Sequence, residues 1–525
     1  MYKCILIPIL SELFGMSHVL DGFQFPLSES SQKPSSSKTG REIISAALAS
    51  VAPEAAQAAQ TEKNWRKQYP QHFKALVEHA LPSTEASYNI ARAGLKQAYT
   101  SFDFYRDGYK LSLHDMLQLQ TDGLHRYSLK GSSTAAPEWY VPYAGKKLTG
   151  DALLAQIQDW QDRGIIEASH AHALVECMAH PEWFDLSDRT MVLFGAASEA
   201  GPLTWLSRWK ANIVALDLAN ERVWHKILNT VLQGNATLYA PALKPVAADA
   251  SITQLAESLG VNLLTHTPEI AKWLLQFDER LDLAAIAYLD GEKHVRVSMA
   301  MDCIMQYVSE HKPDSSLMYM CTPTDVYAVP ENIIKATEQK YTQLSKLQSV
   351  LSKSISRMTS QHFFKKSNLE LIQSGTESYG ICDCLVVEQG PNYALAKRLQ
   401  QWRATLARAN GQRVSINIAP STTTHSVTKN PLLKAAFNGA SLFDVEAFAP
   451  ETTNALMAAL WIYDLRSDDS AANPKNHLNH PLELMMQGAN HGGLWRVAYL
   501  ARTALPFAAL YGFAQQALPK ALQKK

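Results

Sequence analysis

The chain lacks most of the features that betray a function at first sight. No charge of one sign dominates: 49 Lys and Arg stand against 49 Asp and Glu in 525 residues, so nothing steers it toward nucleic acid or another polyanion. Cysteine is scarce. The six scattered copies make no disulfide framework, and Cys382-x-Cys384 has no second pair to complete a zinc site. A reducing, cytoplasmic protein is expected. Long apolar runs are missing too. The stretch from His491 to Phe513 is interrupted by Arg496, Arg502 and Pro506, which argues against a membrane span; it leaves packing on the core, a substrate tunnel or peripheral membrane contact, in that order. The apolar residues 4–10 are followed by Glu12 and no small-residue cleavage site, and read as a short buried segment rather than a leader.

What is present divides the chain into four parts. Residues 1–40 contain a Ser-, Lys- and Pro-rich stretch at 28–39 and are expected to be flexible. Residues 41–187 show helical periodicity with spaced aromatics such as Trp65, Phe73, Tyr88 and Tyr99, and read as a helical N-terminal cap. His170, His172 and His180 here, and His477, His480 and His491 near the C-terminus, have no acid or cysteine cluster beside them, so no metal is assigned. Residues 188–466 change period to short apolar strands alternating with helices, the pattern of an α/β domain. Residues 467–525 form an apolar, helical C-terminal extension.

The α/β part opens with Thr190-Met191-Val192-Leu193-Phe194, which runs into Gly195-Ala196-Ala197-Ser198-Glu199-Ala200-Gly201-Pro202, a short helix through Trp205, and a second strand ending at Asp217. Strand, glycine turn, helix, strand, acid is the order of a dinucleotide-binding unit. The helix N-terminus would offer free N–H groups and partial positive charge to a pyrophosphate. Asp217 falls about 20 residues past the first glycine, where an acid reaches a ribose 2′-OH and favours NAD over NADP. Further strands are expected at residues 237–240, 261–265, 284–289 and 315–321.

The most informative stretch is Gly390-Pro391-Asn392-Tyr393-Ala394-Leu395-Ala396-Lys397. Tyr393 and Lys397 are one helical turn apart and share a face, while Leu395, Leu399, Trp402 and Leu406 make an apolar stripe on the other side. A cation beside a phenol favours the phenolate and lowers a tyrosine pKa of about 10 toward working pH. Such a tyrosine can act as a general acid or base. Ala409-Asn410-Gly411 stops the helix, and an alternating strand follows to Pro420. Tyr143-x-x-x-Lys147 repeats the spacing without a helical stripe and reads as a chance copy.

These two motifs together resemble the short-chain dehydrogenase/reductase family. Gly195-x-x-Ser198-Glu199-x-Gly201 is similar to that family's phosphate loop, with Glu199 standing where the middle glycine should be, and Tyr393 with Lys397 is similar to its active-site helix. The resemblance spans residues 188–466, with an insertion at about 331–384. It implies a Rossmann-like, doubly wound parallel sheet and an NAD cofactor, NADP being the other candidate. By resemblance Gly195, Ser198, Gly201 and Asp217 hold the dinucleotide, and Lys397 holds the nicotinamide ribose and lowers the pKa of Tyr393. Tyr393 protonates the forming alkoxide or deprotonates the alcohol. Thr322 and Thr324 stand after the strand at 315–321, where the family has a catalytic serine, and would orient the carbonyl.

The surplus apolar sequence suggests a large, mostly apolar small-molecule substrate, and the resemblance a homo-oligomer. In the insertion, Lys346, Lys353, Arg357, Lys365 and Lys366 read as a solvated face. The competing expectation is a catalytically inactive Rossmann-fold binding or scaffold protein, which Glu199 and the displaced serine position favour.

Overall fold

The computed structural model describes residues 20–27, 33–247, 249–367, 369–429 and 431–517. The expectation for residues 4–10, and part of that for 28–39, lies outside them. The central sheet has seven strands: β1 (His125–Lys130), β2 (Thr190–Phe194), β3 (Asn212–Leu216), β4 (Thr237–Ala242), β5 (Leu281–Ala285), β6 (Ser316–Cys321) and β7 (Val414–Ile418). They lie in the order β7-β6-β5-β2-β3-β4-β1. Strands β2 to β7 are parallel, and β1 adds an antiparallel edge to β4. Along the parallel strands, the first is central, the next two lie to one side and the last three to the other. This doubly wound order reverses between β2 and β5.

The parallel strands are largely apolar because both faces are covered. All five residues of β2 are buried. Val192 and Phe194 join one core while Met191 and Leu193 join another, as alternation along a strand requires. The first core includes helices Ser36–Leu48, Trp65–Ala80, Thr84–Ser101, Glu292–His311 and Pro391–Ala409. Helices Gly150–Asp162, Ala168–Ala179, Glu221–Leu232 and Pro450–Arg466 cover the other face.

Several expectations need correction. The N-terminal region is no separate cap, since its helices lie on both faces of the sheet and β1 comes from a stretch expected to be helical. The flexibility expected of residues 1–40 does not hold for the described part of that stretch: Gly22–Gln24 is a strand, and helix Ser36–Leu48 starts where the Ser35 side chain accepts a hydrogen bond from the Lys38 N–H. Residues 261–265 are no strand. Gly260 turns at φ +107°, Val261 donates its N–H to Asp217 O, and the Asn262 side chain caps Leu264 N, making a turn into helix Thr267–Leu274.

The insertion is ordered among the described residues. Helices Glu331–Thr342 and Lys346–Met358 form a helical pair, followed by an antiparallel hairpin, Leu371–Ser374 with Glu377–Asp383, that extends strand Val326–Pro330. In the C-terminal extension, His491 does find an acid: its Nε2 lies 2.7 Å from Glu167 Oε1, and Arg496 binds the same carboxylate. Among the described residues no helix is long and apolar enough to cross a membrane. Tyr143 and Lys147 lie in hairpin Val141–Tyr143 and Lys146–Leu148, not on a helix.

Candidate active site

The chain leaves β6 at Cys321 and enters Thr322-Pro323-Thr324-Asp325. Asp325 is fully buried. Its Oδ1 accepts from the Val326 N–H at 2.7 Å and from Arg398 Nη2 at 3.0 Å, and its Oδ2 accepts from Gln401 Nε2 at 2.9 Å. Arg398 and Gln401 belong to helix Pro391–Ala409, so one buried carboxylate fastens the loop after β6 to the helix of Tyr393 and Lys397. Pro391 opens that helix in its first turn, where a missing N–H leaves no intrahelical bond broken. On the far side it is held by Thr84–Ser101, packed so closely that a Cβ on Gly94 would meet Trp402 Cζ3 at 2.2 Å.

This fastening brings together residues far apart in sequence. The Thr322 side chain lies beside the Tyr393 phenol, where it acts to lower the phenol's pKa. Thr322 Oγ1 is also 2.9 Å from Thr324 Oγ1, while Thr324 donates to Gln389 Oε1 at 2.7 Å and accepts from Gln389 Nε2 at its carbonyl. Thr322 therefore adjoins the phenol and Thr324 stands behind it. Lys397 Nζ lies 5.9 Å from the Tyr393 ring centre and donates to Met320 O at 2.9 Å, tying it to the end of β6.

The electrostatics differ from the simple expectation of a cation pulling a phenol down. Burial pushes the Tyr393 phenol above its usual range, with Thr322 acting in the opposite sense. Burial also pushes Lys397 below its usual value. In this arrangement Tyr393 is a neutral acid.

Two neighbours escaped the sequence reading. His294, on helix Glu292–His311, stacks on Tyr393 with ring centroids 5.2 Å apart, and Tyr288 closes the cluster at 4.8 Å from His294 and 6.1 Å from Tyr393. Both follow β5, so aromatic rings gather around Tyr393 on the side of the strand reversal. A lone histidine in a helix carries no sequence signal; only the fold sets it against Tyr393.

At the other rim, Gly195 turns at φ +88°, and a Cβ there would lie 2.5 Å from Ala287 Cα. The loops after β2 and β5 thus cross too closely for any other residue. Gly201 is similarly close to Ile286 Cδ1, at 2.9 Å, and to Ser198 O, at 3.2 Å. Asp217 Oδ2 accepts from the Ala197 N–H at 2.9 Å and its Oδ1 from the Leu218 N–H at 2.8 Å, while burial still raises its pKa. Glu199 does not hang free. Its Oε2 accepts from the His425 N–H at 2.8 Å, latching the glycine loop to the segment after β7. In that segment Thr422 donates to Pro420 O and pairs with Thr453 Oγ1 at 2.8 Å.

The expected helix N-terminus for a pyrophosphate is reduced: the helix is the single turn Leu203–Leu206. The N–H groups of Gly195, Ala196, Ala197, Ser198 and Gly201 all bond within the fold. Among the described residues no three His, Cys, Asp or Glu side chains gather as a metal would require. No family model, curated protein or solved structure matches the chain.

Proposed function

We propose that this chain is an NAD(P)-dependent oxidoreductase of the short-chain dehydrogenase/reductase type, moving a hydride between a nicotinamide and a carbonyl or alcohol of a large, mostly apolar small molecule. The observation that carries this reading is the meeting of Tyr393, Thr322 and Lys397 at the carboxyl end of β6, beside the crevice where a doubly wound sheet binds its ligand. Tyr393, kept protonated by burial, is suited to donate to a forming alkoxide. Thr322 is positioned to hold the same oxygen, and Lys397 to favour the phenolate in the reverse direction.

The nicotinamide supplies the hydride when bound. The residues that would hold the dinucleotide are Gly195, Ser198, Gly201 and Asp217, with Lys397 at the ribose. Asp217 accepts one N–H at each oxygen, and each oxygen keeps a second lone pair for a ribose hydroxyl. Glu199 uses its carboxylate on a backbone N–H and so is not a bare charge in the loop. A cytoplasmic location and a homo-oligomer belong to the same proposal.

A second reading, an inactive binding or scaffold protein, is favoured by the internal bonding of the glycine-loop amides and the one-turn helix. A titration with NADH and NADPH, following nucleotide fluorescence and thermal stability, separates the two. Binding at about micromolar Kd that prefers NADH and is weakened by Asp217→Ala supports the oxidoreductase. No binding at about millimolar nucleotide leaves the second reading.

A further inference from the structure

Helix Lys346–Met358 is built inside out. Leu347, Val350, Leu351 and Met358 fall on one face at spacings of three, four and seven, yet they are 77, 64, 58 and 84 % exposed. The one buried side chain of the helix is Ser352. This is no frayed segment, since a reciprocal capping box between Ser345 and Gln348 starts the helix. An apolar face of this kind turned to water needs a cover.

The adjoining flank of the same helix borders a hollow of about 580 Å³, lined by Lys353, Arg357, Lys365 and Lys366 with Tyr341 and Tyr499. Lys366 Nζ lies 4.6 Å over the Tyr341 ring and Lys353 Nζ 5.9 Å. The insertion's first helix carries ion pairs at Glu331–Lys335 and Lys340–Asp444, but none of the four cations of the hollow is ion-paired among the described residues. Their closeness is enforced by the connecting turn, where Ser360, Gln361 and Phe364 hold φ of +48°, +64° and +50°. Phe364 is anchored there against Phe507 at 4.2 Å. The helix of Phe507 itself exposes Leu510, Tyr511 and Phe513.

We propose that this surface docks on an anionic lipid bilayer, with Leu347, Val350, Leu351 and Met358 entering the headgroup–acyl boundary and the four cations taking lipid phosphates. Charge complementarity selects this occupant. A second copy pairing through the same face would bring like charges together, whereas an anionic interface offers acyl chains and phosphates side by side, as interfacial helices require. The site is remote in sequence from Tyr393 and independent of the reaction proposed above.

The test is co-sedimentation of the full chain with vesicles of phosphatidylcholine alone and with about one-third phosphatidylglycerol. Binding to the anionic vesicles should exceed that to the neutral ones by at least about tenfold. The pairs Leu347→Ser with Leu351→Ser and Lys353→Gln with Lys366→Gln should each weaken it on the order of tenfold, with unchanged melting temperature because all four side chains are exposed. Met358→Gln serves as a second variant if the serine pair melts lower. The proposal is overturned by absence of binding to anionic vesicles, by binding that both double variants leave intact, or by a wild-type dimer in light scattering that Leu347→Ser with Leu351→Ser dissolves while vesicle binding is absent.

Discussion

His294 lies flat against Tyr393, the two ring planes 17° apart, and neither ring nitrogen of His294 has a partner among the described residues. Burial first, and the Lys397 charge second, hold its pKa down to about 3. His294 is therefore a neutral ring that fixes the orientation of the phenol beside it.

A pH dependence follows. In the unfolded chain an imidazole takes its proton near 6.5, while His294 in the fold does so only near 3. Between those values the unfolded state binds more protons, so stability is complete above 6.5 and falls as pH drops toward 3. His170, depressed to about 4 by burial, adds in the same sense. Urea denaturation at about pH 7 and about pH 4.5 should differ by on the order of 2 kcal/mol for each histidine. His294→Phe should remove its own share of the difference and leave that of His170; an unchanged slope would mean that His294 titrates normally in the fold.

Tyr393→Phe should lower the turnover of a carbonyl substrate by about a hundredfold to ten-thousandfold, the range for a lost general acid, while costing at most about 1 kcal/mol of stability, the worth of one phenol hydrogen bond. Thr322→Ala should follow it in activity. Thr324→Val should act more weakly, since its hydroxyl is engaged with Gln389. Equal activity of wild type and Tyr393→Phe would remove the phenol from the chemistry.

Arg398→Met should destabilise the fold by about 3–5 kcal/mol, because it leaves the Asp325 carboxylate buried without its cation. Adding Asp325→Asn should recover part of that loss. A double-mutant cycle in urea measures the coupling, and additive single effects would mean that the pair is not what pins the loop after β6.

Glu199→Gly releases the latch to His425 and restores the glycine that phosphate loops favour. It should tighten NADH binding on the order of tenfold by fluorescence titration, whereas Glu199→Gln, which keeps an acceptor for the His425 N–H, should change it less. Equal affinities in all three proteins would show that the latch does not govern the loop.

Gly94→Ala tests the support behind the site helix. The new methyl would sit 2.2 Å from the Trp402 ring, and overpacking of that kind costs about 1–3 kcal/mol. A melting temperature equal to wild type would mean that helix Thr84–Ser101 gives way without consequence for Pro391–Ala409.

Much of the scaffold is legible locally. Strands β2, β3, β6 and β7 and helices Glu292–His311, Pro391–Ala409 and Pro450–Arg466 announce themselves by apolar runs, alternation or helical stripes, since burial of a sheet, or of one face of a helix, leaves its period in the sequence. β1 does not. His125-Arg126-Tyr127-Ser128-Leu129-Lys130 is a half-exposed edge whose hydrogen bonds come from pairing with β4, and pairing leaves little trace in composition. The apolar residues 261–265 err the other way, their burial coming from packing around a turn.

The sequence by itself determined the pairing of Tyr393 with Lys397 on one helical face, the glycine turn at Gly195, and Thr322 at the end of β6, because each depends on residues close along the chain. Only the tertiary structure decided that Thr322 lies beside Tyr393, that Glu199 turns to His425 and that His294 covers the phenol. These are contacts between segments separated by long stretches of chain. The order of the strands and the packing of the helices bring them together, and neither is written in local periodicity.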